Sequence, residues 1–352
     1  MAEAPCGGSL DQSAEELLIR GWLLSDVRGT HTRQPDTYAG RLAPTPAVIA
    51  ASGARVHHAG MADSVPPQTA MTAVLADDRR ISWAQYGSSD GTPLVMLHGT
   101  PGSRLQFQWM HEHATAAGIR VIAPERPGYG ASDRMPTGIT SAAYSDDLRQ
   151  LLDRLGLPIV TLCGVSGGGG FALAAAIRYP ERFDRLILVS AGVPVPRAAR
   201  RGSALPVRLL LSLARYAPGL TGRLLAAQLS ADPDSAMSRA GTRFMPTSDR
   251  RVFEAPEWRR RFDEDFRVAL AQGPGAAVQD LALGTRPLGL DVADLTVETV
   301  LLHGTEDVNV PVSIARWLAA HVPSARLIEQ PGAGHLFSLE QPQLIFEWVR
   351  RS

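Results

Sequence analysis

The hydrophobic pattern of the chain changes character near residue 72. Residues 1–68 hold no sustained period. They mix Gly, Pro, Ala, Arg and His with one weakly amphipathic stretch near 13–24, a pattern that predicts a flexible extension. Beyond it, short apolar runs alternate with helical spacing. Residues 80–86 read as a strand, 87–91 as a turn and 93–97 as a buried strand. A helix over 105–117, a strand over 120–124, a helix over 141–155, a strand over 159–163, a helix over 166–179 and a strand over 185–190 follow. Such alternation builds a mostly parallel sheet with helices on both faces.

The alternation stops at residue 191 and resumes only near 290. Between them lie helical patterns at 206–216, 221–229 and 257–272, which predict an inserted helical cap. A strand over 298–303, a helix over 311–321, a strand over 325–329 and a closing helix from about 339 to 351 then complete the sheet. The expected organisation is an extension (1–68), a first part of an α/β doubly wound core (69–192), a helical cap (193–290) and a second part of the core (291–352). In the cap, Trp258, Phe262, Phe266 and Leu270 recur every four residues and so share one helical face. Core packing is the commoner use of such a stripe. With Leu209, Leu213, Leu224 and Phe253 it also suits a pocket for a neutral, mostly apolar acyl group.

The chemistry concentrates where strand meets helix. Gly164-Val165-Ser166-Gly167-Gly168 joins the β-branched run 159–163 to the small-residue segment 171–176. This is the strand-turn-helix context of a nucleophile elbow, and the glycines at 164 and 168 remove side chains that would collide across the turn. The helix that starts there aims its free amides at an oxyanion, so Gly167 supplies one donor. A second loop, His98-Gly99-Thr100-Pro101-Gly102, follows the strand 93–97 directly and offers the amide of Thr100 as the other. His98 itself is assigned a structural role beside this loop.

Of the nine histidines, only His335, in Gly332-Ala333-Gly334-His335 just past the last strand, lies on a loop that can turn back to the serine. Its acid partner belongs after the preceding strand, in Thr305-Glu306-Asp307-Val308-Asn309-Val310-Pro311. Two carboxylates compete there. Asp307 is preferred because Glu306 is expected to face solvent.

In these motifs the sequence resembles the α/β-hydrolase fold family, over about 280 residues from Thr72 to the end. The chain order Ser166, Asp307, His335 is that of the family's triad. The segment from Pro124 to Asp133 resembles its loop after the fourth strand, with Pro127 where many members have Gly. The resemblance implies a serine hydrolase acting on an ester or related carbonyl substrate through an acyl-enzyme. The same scaffold also serves carbon-carbon bond hydrolases, cofactor-free oxygenases and perhydrolases, and non-catalytic receptors for small ligands. Relatives that open epoxides or remove halides carry Asp at the elbow, where this chain has Ser166.

Charge adds exclusions. Thirty-five basic residues balance thirty-five acidic ones, so no net field draws the protein to nucleic acid or to a membrane, and a small-molecule substrate is the expected partner. Every basic residue is Arg. The run Arg259-Arg260-Arg261, one turn before Glu264 and Asp265, reads as a solvated, self-paired helix face. Two cysteines in unlike settings, Cys6 and Cys163, fit a reducing compartment, and with no secretory layout at the N-terminus the expectation is a cytoplasmic protein. Cys163 reads as a small core residue. No metal cluster or phosphate-binding loop stands out, and the reaction implied needs no cofactor.

Overall fold

The computed structural model describes residues 66–136, 138–200, 202–230 and 243–349. All of them fall in the second of two units into which the chain divides, Gly60–Ser352. The expected extension lies outside the described residues up to residue 65.

Eight strands form one sheet: β1 (Gln68–Val74), β2 (Arg80–Gly87), β3 (Thr92–Leu97), β4 (Ile119–Pro124), β5 (Val160–Val165), β6 (Phe183–Val189), β7 (Thr299–Gly304) and β8 (Ala325–Gln330). Their order is β1-β2-β4-β3-β5-β6-β7-β8. β2 runs antiparallel to both β1 and β4, and every other pairing is parallel. Edge strand β1 was not foreseen. Its residues alternate exposed and half-buried, with no fully buried position to announce a strand. It begins at Gln68, the last residue assigned to the expected extension.

The inner strands are covered on both faces, and alternate side chains serve different cores. Val95 and Leu97 of β3, Leu162 of β5, and Leu186 and Leu188 of β6 enter one cluster, with Tyr144, Leu148 and Phe171. Leu94, Met96, Cys163, Ile187 and Val189 enter the other, with Phe107, Phe346 and Trp348. Cys163 is fully buried, as a core residue should be, and burial pushes its thiol far above the ordinary range. The covering helices are α1 (His111–Ala116), α2 (Ser141–Arg154), α3 (Gly169–Arg178), α9 (Val312–His321), α10 (Phe337–Glu340) and α11 (Gln343–Val349). Thr140 caps α2, its Oγ1 accepting from the Ala143 N–H at 3.1 Å.

Two expected helices are divided. Residues 105–117 hold a 3₁₀ stretch, Arg104–Met110, before α1. The closing helix breaks between α10 and α11 at Gln341-Pro342, where Gln341 has φ −137° and ψ 59°. Proline disfavours helical geometry in the residue before it, and the stretch breaks there.

Between β6 and β7 lie the cap helices α4 (Leu205–Tyr216), α5 (Pro218–Ser230), α6 (Thr247–Glu254), α7 (Pro256–Ala269) and α8 (Gly275–Leu283). α4, α5 and α7 match the expected patterns within a few residues. α6 and α8 were missed: one is eight residues of mostly polar sequence, and the other begins in Gln-Gly-Pro-Gly, which reads as a turn. Among the described residues no helix is long and apolar enough to cross a membrane.

Candidate active site

Strand β5 ends at Val165, and Ser166 follows with φ +50°, a left-handed conformation that costs a non-glycine residue energy. The turn is held from both sides. The Ser166 carbonyl accepts from the Gly192 N–H at 2.8 Å, and neighbouring atoms crowd the glycines. A Cβ at Gly164 would lie 2.7 Å from the Ala172 Cβ, and one at Gly168 would lie 2.5 Å from the Leu97 carbonyl oxygen. The three residues Ser166–Gly168 form a 3₁₀ turn, and α3 starts only at Gly169, slightly later than expected.

His335 reaches this turn from the loop after β8. Its Nε2 lies 3.0 Å from Ser166 Oγ and its Nδ1 lies 2.7 Å from Asp307 Oδ2. Asp307 sits just past β7, and its other oxygen accepts from the N–H groups of Asn309 and Val310, each at 2.9 Å. That pair of backbone donors fixes the carboxylate's rotamer, while the preceding Glu306 is exposed. Behind it, His303 Nε2 donates to the Val310 carbonyl at 2.7 Å and lies 3.4 Å from Asp307 Oδ2. Burial alone would raise the Asp307 carboxyl, but the charge of His335 and hydrogen bonds from His303 and His335 hold it well below the usual carboxylate range. Burial works against the His335 cation, yet Asp307, and after it Asp249, raise its affinity for a proton above the ordinary value.

The loop after β3 lies against the elbow. A Cβ on Gly99 would stand 3.4 Å from the Ser166 Cβ, and one on Gly167 would stand 3.2 Å from the Thr100 amide nitrogen. The two expected amide donors, Thr100 and Gly167, therefore lie against each other at the elbow. The loop is held by Gln106, whose Oε1 accepts from the Gly99 N–H at 2.6 Å. His98 is fully buried. Its Nε2 accepts from the Arg126 N–H at 3.2 Å and its Nδ1 donates to the Gly99 carbonyl at 2.9 Å. Burial, then the charge of Arg126, keeps it neutral, so its lone pair is occupied and it holds the loop.

The family model for the alpha/beta hydrolase fold matches residues 92–342, which include the elbow, the loop after β3, Asp307 and His335. The chain belongs to the α/β-hydrolase fold family. A 2-hydroxymuconate semialdehyde hydrolase from Pseudomonas sp. (strain CF600) is 31% identical over 271 residues, covering 72% of this chain and 84% of that one. The 3-oxoadipate enol-lactonase 2 of Acinetobacter baylyi is 26% identical over 272 residues, covering 77% and 91%. Among solved structures, a thermophilic esterase from Thermogutta terrifontis superposes with a TM-score of 0.57 at 26% identity, covering 82% of this chain and 97% of that chain.

Sequence reasoning about this hydrolase-fold chain missed the cap's polar contacts with the core. Arg126, fully buried in the loop after β4, donates from Nη1 to the His98 carbonyl at 2.5 Å and from Nη2 to the Gly99 carbonyl at 2.8 Å. Its charge is met by Asp280 of α8, which accepts from Arg126 Nε and from the Tyr129 hydroxyl, each at 2.8 Å. Asp265 of α7 accepts from the Ser103 N–H at 2.9 Å and its hydroxyl at 2.6 Å. It is 4% exposed, which corrects its expected place on a solvated face with Arg259, Arg260 and Arg261. A third cap carboxylate, Asp249 of α6, meets the loop of His335.

The aromatic stripe is half-buried rather than core at Trp258, Phe262 and Phe266, and buried at Leu270. Phe262 stacks on Phe253 and Phe266, while Trp258 meets Trp109 edge to face at 5.3 Å. Leu209 and Leu224 are largely exposed, at 45% and 48%. Among the described residues no group of three or more His, Cys, Asp and Glu side chains is arranged to hold a metal ion.

Proposed function

We propose that the protein is a serine hydrolase that cleaves an ester or related carbonyl substrate through an acyl-enzyme. One observation carries this: the unbroken series from Asp307 Oδ2 through the His335 ring to Ser166 Oγ, at 2.7 and 3.0 Å, ending on a serine in a strained turn. His335 Nε2 takes the Ser166 proton as Oγ attacks the carbonyl carbon. The negative oxygen that forms faces the amides of Thr100 and Gly167, donors worth about 3 to 4 kcal/mol each in such sites. Collapse of the tetrahedral adduct breaks the bond to the leaving group, which takes the proton from His335. Water, deprotonated by the same ring, then attacks the acyl-enzyme and regenerates Ser166. Asp307 keeps Nε2 as the accepting nitrogen and stabilises the imidazolium.

The similarity to an enol-lactonase and an esterase supports ester chemistry. Similarity to the semialdehyde hydrolase supports a second reading, in which the bond broken is carbon to carbon. Arg126 directs its guanidinium to Asp280 and to the carbonyls of the loop. That arrangement supports a neutral rather than a carboxylate-bearing substrate.

The test is a panel of esters, lactones and vinylogous diketones with fluorophosphonate labelling in parallel. Ser166→Ala should abolish labelling and lower kcat/KM by about 10⁴-fold or more. Equal kcat/KM for variant and parent on the best substrate would refute the serine mechanism. A diketone preferred over every ester would select the second reading.

A further inference from the structure

The loop that carries His335 is fastened by a side chain that belongs to the cap. Two consecutive backbone donors, the N–H groups of His335 and Leu336, point at Asp249 and reach separate oxygens, Oδ2 at 2.7 Å and Oδ1 at 2.9 Å. Asp249 stands in the first turn of α6 and is 2% exposed. The residue before the histidine is glycine for a visible reason: a Cβ on Gly334 would fall 2.3 Å from Asp249 Oδ1 and 2.4 Å from its Cγ. Carboxylate, glycine and paired N–H groups therefore form one fitted seat.

Burying a carboxylate is costly unless donors meet it. Here burial pushes the Asp249 carboxyl above its ordinary range, the N–H groups of Leu336 and His335 and the charge of His335 pull it only part of the way back, and the charge of Asp307 adds to the rise. The groups around His335 are Asp307 on Nδ1, Ser166 on Nε2 and Asp249 at the backbone, with His303 behind Asp307. Two carboxylates therefore act on the base, one from the core and one from the cap.

We propose that Asp249 is a positioning residue for the reaction: it clamps the His335 loop so that the ring meets Ser166, and it places a second negative charge beside the imidazolium. This rests on the serine-hydrolase reading above. A clamp across two N–H groups fixes the loop in two directions, and misplacement of a base by about 1 Å can cost about 100-fold in rate. The charge acts on the other side of the same step. A base that accepts a proton next to two carboxylates titrates higher than one next to a single carboxylate.

The test compares Asp249→Asn with the parent across a pH series, with Ser166→Ala alongside. The amide offers one oxygen and turns a donor toward the other N–H, so kcat should fall by about 10- to 100-fold with KM within about threefold. The acidic limb of kcat/KM should move to lower pH, because the rate rises as the base loses its proton and removing Asp249 lowers the pH at which it does so. A role confined to stability would lower the melting temperature and leave that limb in place.

Asp249→Glu carries the test if the amide variant does not fold. It keeps the charge and loses the fitted seat, so kcat falls while the acidic limb stays at the parent's position. Parental kcat with an unmoved limb in Asp249→Asn, or parental kcat in Asp249→Glu, overturns the proposal. If Ser166→Ala turns over like the parent, the hydrolase reading has failed instead, and the two failures are thereby distinguished.

Discussion

Core and cap both use buried aspartates, but they place them at very different distances along the chain from what they hold. In the core, Asp307 accepts from Asn309 and Val310, two and three residues away, so the acid and its support fold as one turn. In the cap, Asp249, Asp265 and Asp280 hold partners 86, 162 and 154 residues distant: the His335 loop, Ser103 and Arg126. Each comes from a different helix, α6, α7 or α8. The core holds the proposed catalytic groups in locally complete motifs. The cap supplies long-range contacts that fasten the two loops on either side of Ser166. A cap attached in this way bears directly on the catalysis proposed for Ser166 and His335.

The sharpest way to test the core half of that comparison is Asp307→Asn. The amide turns a donor toward Nδ1 and favours the tautomer whose Nε2 carries a proton, which cannot then accept one from Ser166. We expect kcat to fall by about 10³- to 10⁴-fold with little change in KM. Glu306→Gln, one residue earlier and exposed, should cost less than about tenfold, because a solvated charge acts on the ring only through a screened field. Steady-state kinetics on one substrate decides, and a severe Glu306→Gln beside a mild Asp307→Asn would move the acid by one residue.

Breaking the buried Arg126–Asp280 pair tests the cap half. Asp280→Ala strips the counter-charge from a guanidinium that is fully buried, at a cost of about 3 to 5 kcal/mol in urea unfolding. Because Arg126 also holds the carbonyls of His98 and Gly99, kcat should fall with stability. Replacing both residues by apolar ones, Arg126→Met with Asp280→Leu, should lose less stability than the sum of the single changes, since no unpaired charge remains. Additive losses would mean that the two residues do not act as a pair.

The same contrast explains what could be seen in the sequence. Ser166, Asp307 and His335 were legible because each lies at the end of a strand inside a short motif whose glycines and order reveal its geometry. Thr100 and Gly167 followed from those strand ends. The cap aspartates carry no such local mark. Asp265 follows three arginines by one helical turn, and that spacing suggests a solvated helix face, whereas Asp265 is buried. Asp249 looks like an ordinary acid in the first turn of a helix. Its partners are backbone N–H groups, which have no letter in the sequence. Strand β1 escaped for a related reason, since an edge strand without a fully buried position lacks the buried run that marks β2.

The smallest of these effects, and the one most specific to the cap, is the titration of Asp265. Burial pushes its carboxyl up to about 7, in spite of two hydrogen bonds from Ser103, and the nearby charges of Glu125 and Glu264 add to the rise. In the unfolded chain an aspartate titrates near 3.9. The folded state therefore binds this proton more tightly than the unfolded state does. Its contribution to stability is fully present below about pH 4 and is lost as pH rises through about 7. Asp265→Asn keeps an oxygen for the Ser103 N–H and hydroxyl and removes the ionisation. Relative to the parent, the variant should gain roughly 2 to 3 kcal/mol between pH 5 and pH 8, at about 1.4 kcal/mol for each pH unit over which the two states differ by a proton. Other buried acids, Glu125, Asp147 and Asp249, are present in both proteins and cancel in the difference. Urea unfolding at the two pH values reads the effect directly. Parallel changes in parent and variant would show that Asp265 ionises in the ordinary range, and the cap would then be fastened to Ser103 by a bond indifferent to pH.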